Sequence, residues 1–182
     1  LCESGNDQIV LKQIHDEPCS YYQFADKFQS EISAFHSLKK IQIEVPELLG
    51  TNQQKRWIFK AYIHGTRASE LIASNNISNP VLDQLLSMAR RAEMAGFNLD
   101  YFPNNFIISE NKLFYIDYEL NPFDEQWNLE NWGLYYWVNN MGIKNFLDTG
   151  EARFINENPE LGIPKKTAFT SKVKEIIEKY SY

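Results

Sequence analysis

Asp100-Tyr-Phe-Pro-Asn-Asn105, followed by Tyr115-Ile-Asp117-Tyr-Glu119, constrains this chain more than any other stretch. Asp100 and Asn105 are five residues apart, and a second carboxylate, Asp117, follows twelve residues later. Between them, Phe106-Ile-Ile-Ser-Glu-Asn-Lys-Leu-Phe-Tyr-Ile116 reads as two short apolar strands joined by a polar turn at Ser109-Glu-Asn-Lys112. The pattern puts a carboxylate and an amide on one loop and another carboxylate at the end of the following hairpin. Phosphoryl transfer uses such a set: one carboxylate orients the attacking hydroxyl, while an amide oxygen and a second carboxylate hold Mg²⁺ against nucleotide phosphates. In isolation Asp100 beside Pro103 is equally a turn aspartate, since Asp, Asn and Pro are common turn residues.

With these residues in view, the chain resembles the protein-kinase-like superfamily. The loop of that superfamily reads His-Arg-Asp-Leu-x-x-x-Asn and is followed by a strand pair and Asp-Phe-Gly. Here the loop is Asn98-Leu99-Asp100-Tyr101-Phe102-Pro103-Asn104-Asn105 and the later triplet is Asp117-Tyr118-Glu119. Ile116-Asp-Tyr-Glu119, with Asn121-Pro-Phe and Trp127-Asn-Leu-Glu-Asn131 after it, is more similar to the choline-kinase and aminoglycoside-phosphotransferase branch than to protein kinases. A small bacterial kinase-like protein fits this pattern.

The upstream half follows the same order. Gln8-Ile-Val-Leu-Lys12-Gln-Ile14 reads as an apolar strand carrying one lysine. It resembles the Val-Ala-Ile-Lys strand whose lysine contacts nucleotide phosphates, although a lysine with a solvated head is also common on edge strands. A helix is expected from about Tyr21 to Leu38, with Phe24, Phe28, Ile32, Phe35 and Leu38 on its buried face. Glu31, nineteen residues after Lys12, flanks that face and would hold the lysine extended; the bland alternative is an exposed helix charge. Glu17 and Glu44 fall outside the helix. Arg56-Trp-Ile-Phe-Lys-Ala-Tyr-Ile63 reads as a strand ended by His64-Gly65. By the resemblance it runs into the hinge that binds adenine, so Lys60, Ala61, Tyr62 and Ile63 are hinge candidates. Asn79 as N-cap, Pro80 as first helical residue and Gly96 as stop delimit a long helix with Leu82, Leu85, Leu86 and Ala89 as its apolar stripe.

The resemblance covers roughly residues 7 to 137. It implies an α+β, two-lobed protein-kinase-like fold: a small antiparallel-sheet lobe over 1–61 and a mainly helical lobe over 62–182. The implied activity is ATP- and Mg²⁺-dependent transfer of the γ-phosphoryl group to a hydroxyl acceptor, with a small molecule favoured over a protein. Asp100 would act on the acceptor hydroxyl, Lys12 and Glu31 would serve the nucleotide, and Asn105 and Asp117 would bind the metal. The alternative is a noncatalytic nucleotide-binding pseudokinase or scaffold.

Four departures bear on that choice. Leu1 to Asp7 leave no room for the family's first strand and glycine-rich loop, so either both precede Leu1 in a longer protein or the nucleotide is covered some other way. Asn98 replaces the loop histidine and Phe102 replaces a cation that often assists phosphate binding. Glu119 replaces glycine, and no Ala-Pro-Glu follows. Asn128 and Asn131 stand where the family often has an aspartate bracing the loop.

Composition closes other routes. At 182 residues, with 43% apolar and 14% aromatic content, the chain is long and apolar enough for a real core. A net charge of −6 argues against nonspecific binding to nucleic acid or to an anionic membrane surface, and no stretch reaches the ~18 apolar residues of a membrane span. Cys2 and Cys19 form no Cys-x-x-Cys pair, so a reducing cytoplasm is the expected setting. His15, His36 and His64 share no ligand spacing. Trp127, Trp132, Tyr135, Tyr136 and Trp137 read as core packing or as an aromatic cage for a quaternary ammonium group. Val173, Ile176, Ile177 and Tyr180 predict a last helix after Lys165-Lys166.

Overall fold

The structure, a computed structural model, describes residues 2–4, 7–15 and 26–180. Leu1, Gly5-Asn6, Glu17, Cys19 and the expected helix start from Tyr21 through Phe24 lie outside the described residues. The chain is a mixed α/β protein of small antiparallel sheets and helices. Its first sheet has the order β1 (Cys2–Ser4), β2 (Asp7–Gln13), β4 (Trp57–Ala61), β3 (Leu48–Asn52), antiparallel throughout. In the β2–β4 register Val10 faces Lys60 and Lys12 faces Ile58. Because side chains alternate along a strand, these four share one face of the sheet. Ile58 is fully buried there.

Helix α1 (Lys27–Lys40) turns its buried side toward that face. It begins later than the apolar spacing predicts because Asp26 caps it, accepting hydrogen bonds from the Phe28 and Gln29 N–H groups. Phe28, Ala34, Phe35 and Leu38 are buried, and so is Glu31, which therefore lies within the apolar face and not at its edge. A buried carboxylate at such a position requires a partner.

Beyond β4 the chain forms β5 (Thr66–Arg67), α2 (Ala68–Ala73) and the long α3 (Asn79–Met94). Ser78 takes the N-cap position of α3, one residue before the expected Asn79, and Gly96 supplies the left-handed turn after its end at φ +80. The buried stripe is Val81, Leu85, Leu86, Met88, Ala89 and Ala92. Next come β6 (Phe97–Leu99), β7 (Phe106–Ser109), β8 (Lys112–Tyr115) and β9 (Leu120–Pro122). β7 and β8 form the expected hairpin, with Glu110 and Asn111 both at positive φ in a two-residue turn whose hand matches strand twist. β6 pairs with β9, Leu99 opposite Leu120.

A π-helical turn at Leu129–Gly133 leads into α4 (Leu134–Trp137), followed by α5 (Asn140–Thr149), the small β10 (Asn156–Asn158) and β11 (Ile163–Pro164) pair, and α6 (Thr170–Tyr180), which buries Val173. Backbone bonds tie the hairpin to the first sheet's connection, with Tyr115 N–H donating to the Glu44 carbonyl at 2.9 Å. Among the described residues no helix is long and apolar enough to cross a membrane.

Gly133 sits where the π turn meets the Asp100 loop, and a Cβ there would stand 2.5 Å from the Cβ of Tyr101. Gly133→Ala is expected to destabilise the protein by about 1–3 kcal/mol through overpacking, read as a lower urea midpoint with an unchanged slope. An unchanged midpoint would show that the loop yields freely at Tyr101.

Candidate functional site

Three elements distant in sequence meet at Lys12. The lysine leaves β2 on its buried face, and its ammonium is bonded to Glu31 of α1 and, at 2.8 Å, to Asp117 Oδ1 after β8. These partners are 19 and 105 residues away along the chain. Glu31 is thus the carboxylate opposite Lys12, and the exposed helix charge and solvated edge lysine are both excluded for this pair. Burial disfavours the charged form of Lys12, yet Asp117 and Glu31 outweigh it and raise the lysine's pKa above its ordinary value. Burial also disfavours charge on Asp117, but the Lys12 ammonium, its hydrogen bond and Lys60 together hold that carboxylate below the usual range.

The Asp100 loop is placed by the strands around it. β6 ends at Leu99 and β9 begins at Leu120, so their pairing sets Asp100 beside the 117–119 segment. Tyr115, fully buried, bridges the two: its hydroxyl accepts the Asp100 N–H at 3.2 Å and donates to the Glu119 carbonyl at 3.0 Å. The Phe102 N–H donates to Asp100 Oδ1 at 3.0 Å, the Asn105 side-chain amide donates to the Asp100 carbonyl at 3.4 Å, and the Ile116 N–H donates to the Asn105 carbonyl at 2.9 Å. Burial raises the Asp100 pKa; hydrogen bonds from Phe102 and Asn105 oppose it, and the charge on Asp117 adds to it.

A cleft of about 700 Å³ is lined by Lys12, Asn105 and Asp117 together with Lys60, Ala61, Tyr62 and Ile63. The four hinge candidates divide in use. Ala61 N–H donates to the Glu47 carbonyl at 2.8 Å and Tyr62 N–H to the Gln8 carbonyl at 3.3 Å. Lys60 lies inside β4 and is 3% exposed, with its ammonium 3.3 Å from the Ile116 carbonyl and 3.5 Å above the Tyr118 ring. Its side chain belongs to the ionic network behind the cleft, a placement that a hinge assignment does not anticipate. A second cavity of about 510 Å³ is lined by Asp100 together with Glu119, Phe123, Asp124, Trp127 and Trp132.

Much of the support for the loop comes from side chains around Asp100 and Asn105. Trp137 Nε1–H donates to the Tyr101 carbonyl at 2.9 Å, and buried Asn98 donates to the Asp124 carbonyl at 2.8 Å. Asn128 and Asn131 serve their own turn instead, with Asn128 Oδ1 accepting the Asn131 N–H at 2.7 Å. Phe102 packs edge-on against Tyr136 and Phe146. Of the aromatic cluster, Tyr136 and Trp137 are core residues, whereas Trp127 and Trp132, with centroids 6.0 Å apart, line the second cavity. Among the described residues no group of three or more His, Cys, Asp or Glu side chains is arranged to hold a metal ion.

No protein-family model matches the chain, and no curated protein does. Among solved structures it is similar to the Rio2 kinase–ADP/Mg²⁺–phosphoaspartate complex from Chaetomium thermophilum, at 14% identity and a TM-score of 0.43. The match covers 96% of this chain and 63% of that one, so the chain spans less than two thirds of that kinase's length.

Asp100 is a carboxylate held in a site that disfavours its charge, which has a consequence for stability. Its folded pKa lies above the ordinary 3.8. Its contribution is therefore most favourable below 3.8 and is lost as pH rises through the folded value. Asp100→Asn, neutral at every pH and still able to accept the Phe102 N–H, is expected to melt above the wild type at pH 7, with the gap closing below pH 3.8. A variant that melts lower at pH 7 would show that the carboxylate's partners outweigh its desolvation.

Proposed function

We propose that this protein is an ATP- and Mg²⁺-dependent phosphotransferase with a kinase-like arrangement of a sheet lobe (1–61) and a helical lobe (62–182), acting on a hydroxyl acceptor. The observation that carries this reading is the meeting of Lys12 with Glu31 and Asp117 beside a cleft that Ala61, Tyr62 and Ile63 also line, with Asp100 and Asn105 on the adjoining loop. In this reading Lys12, extended by Glu31, engages nucleotide phosphates. With the Ala61 and Tyr62 N–H groups already bonded, the Ile63 backbone is the first candidate to meet adenine.

The donor set fits Mg²⁺. Asp117 and Asn105 offer one carboxylate and one amide oxygen on the same cleft, and Mg²⁺ characteristically takes one or two protein oxygens and completes its shell with water and phosphate. Bound there, the ion would neutralise charge on the transferring group. Asp100 would orient the acceptor hydroxyl and take its proton as the acceptor oxygen bonds to phosphorus and the bond to the departing nucleoside diphosphate breaks. A raised pKa suits a carboxylate to that task.

The second cavity lined by Asp100 supports a small acceptor. It brings three carboxylates, Asp100, Glu119 and Asp124, together with the faces of Trp127 and Trp132. Carboxylates and exposed indoles favour a cationic, hydroxyl-bearing small molecule. The noncatalytic reading draws on Phe102, whose ring is spent on packing against Tyr136 and Phe146 at a place where a phosphate-binding cation would assist transfer.

Melting the protein with ATP, with Mg²⁺ and with both tests the site. A ligand at a hundred times its dissociation constant stabilises by about 2.7 kcal/mol, and each kcal/mol raises Tm by roughly 2–4 °C at this size. We expect a shift of that order with both together, abolished by Asp117→Ala; no shift under any condition sinks the nucleotide-binding reading. For catalysis, Asp100→Ala is expected to keep the shift and lose about 10²–10⁴-fold in turnover. Turnover that survives in Asp100→Ala removes Asp100 from the chemistry, and an absence of turnover in the wild type over a screen of amino alcohols favours the scaffold.

A further inference from the structure

Lys60 is a buried ammonium that the proposed chemistry does not use. It is 3% exposed on the face of β4 that also carries Ile58, and it stands diagonally across the sheet from Lys12. Nothing in an apolar core calls for a charge there, and desolvating an ammonium is costly unless its partners are good. Its partners come from two elements. From the segment after β8, the Ile116 carbonyl lies 3.3 Å from Nζ and the Tyr118 ring centroid 3.5 Å away. From α1, Glu31 Oε1 lies 3.9 Å away. The charged groups around it are therefore Glu31 and Asp117, both attractive, and Lys12, repulsive. Two lysines face two carboxylates, and their formal charges cancel.

The sequence positions of these contacts matter more than their number. Ile116 and Tyr118 are the residues on either side of Asp117. Lys60 grips one through its carbonyl and the other through its ring. The far ends of both residues are anchored as well: the Tyr118 hydroxyl donates to the Pro46 carbonyl, its ring packs on Phe35 at 5.2 Å, and the Ile116 N–H donates to the Asn105 carbonyl at 2.9 Å. Asp117 is thus suspended between two anchored residues that share one buried cation as a partner. Lys12 alone could not do this, because it holds only the carboxylate itself, and a lysine occupied with nucleotide phosphate would release it.

We propose that Lys60 is a positioning residue for Asp117, fixing the backbone on both sides of the carboxylate so that its orientation survives when Lys12 turns to a nucleotide. This rests on the phosphotransfer reading for what Asp117 is positioned to do, but the positioning itself is a property of the ligand-free chain. Burial is the main influence on the Lys60 ammonium, and its pKa falls to about 8 despite the attraction of Glu31.

The test is amide hydrogen exchange of the full chain without ligand, comparing wild type, Lys60→Met and Leu38→Ala. Lys60→Met keeps the length of the stem and removes the cation; Leu38→Ala removes apolar packing from α1 and leaves Lys60 and both carboxylates in place. The Ile116 and Tyr118 amides report the segment, since they donate to Asn105 and to Asp117 Oδ1. We expect both to exchange at least tenfold faster in Lys60→Met, measured relative to the centre of α3, and to keep the wild-type ratio in Leu38→Ala. Unchanged ratios in Lys60→Met, or an equal rise in Leu38→Ala, overturn the proposal. The companion measurement is the Mg²⁺ concentration that gives half of the ATP-dependent melting shift, expected to rise at least fivefold in Lys60→Met. A Lys60→Met midpoint equal to wild type overturns the link to the metal position. A wild type with no shift at all defeats the phosphotransfer reading, while the exchange ratios still decide whether Lys60 holds the segment.

Discussion

The ion network at Lys12 is the constraint on which the rest of the structure depends. A lysine from a strand, a glutamate from a helix and an aspartate from a loop 105 residues away meet in a partly buried space. None of the three could be buried alone without a desolvation cost of several kcal/mol. Each therefore fixes the other two, and with them the packing of α1 on the first sheet and the approach of the hairpin to both. The cleft exists because these elements are held at that separation. Lys60 extends the network inward, so that the segment bearing Asp117 is gripped from the sheet side as well.

Around this centre the loop bearing Asp100 is held by neutral groups. Tyr115 ties the Asp100 N–H to the Glu119 carbonyl, Trp137 holds the Tyr101 carbonyl, and Gly133 lets the π turn approach Tyr101 closely. A π turn spends one extra residue to redirect a helix, and such turns are common beside working sites. Here it brings Gly133 against Tyr101 and leads directly into the α4 residue that braces the loop. The loop is rigid through hydrogen bonds to backbone groups, which fix its course without placing a compensating charge near Asp100.

The elements with a clean period were legible in the sequence. Alternation and a two-residue polar turn marked the β7–β8 hairpin, and the apolar stripe and Gly96 marked α3. The pairing of Lys12 with Glu31 was legible too, because one lies on an apolar strand and the other on the helix expected to pack against it. What resisted was the direction in which side chains point once strands pair. Lys60 read as part of a hinge because, by the resemblance, its strand runs into one. Only the β2–β4 register turns it to the Lys12 side, and only the fold places Tyr118 over it. The same holds for Glu31, whose burial depends on a partner in another element, and for Trp137, indistinguishable in sequence from its aromatic neighbours. The α3 cap moved by one residue because Ser78 and Asn79 are both good caps and local sequence does not choose between them.

The two aspartates show how one fold gives the same side chain two opposite environments. Both are disfavoured as anions by burial. Asp117 faces two ammonium groups and is held below the ordinary carboxylate range; Asp100 faces two neutral donors and the charge of Asp117, and is held above it. The split is sustained by where the lysines stand, since both project from the sheet toward the hairpin and neither from the Asp100 loop. Pairs of titratable groups whose environments drive them apart are how acid–base and charge-binding tasks are divided between like residues. In this chain the division follows from topology: the β6–β9 pair brings the aspartates to one place, and the sheet that carries the cations reaches only one of them.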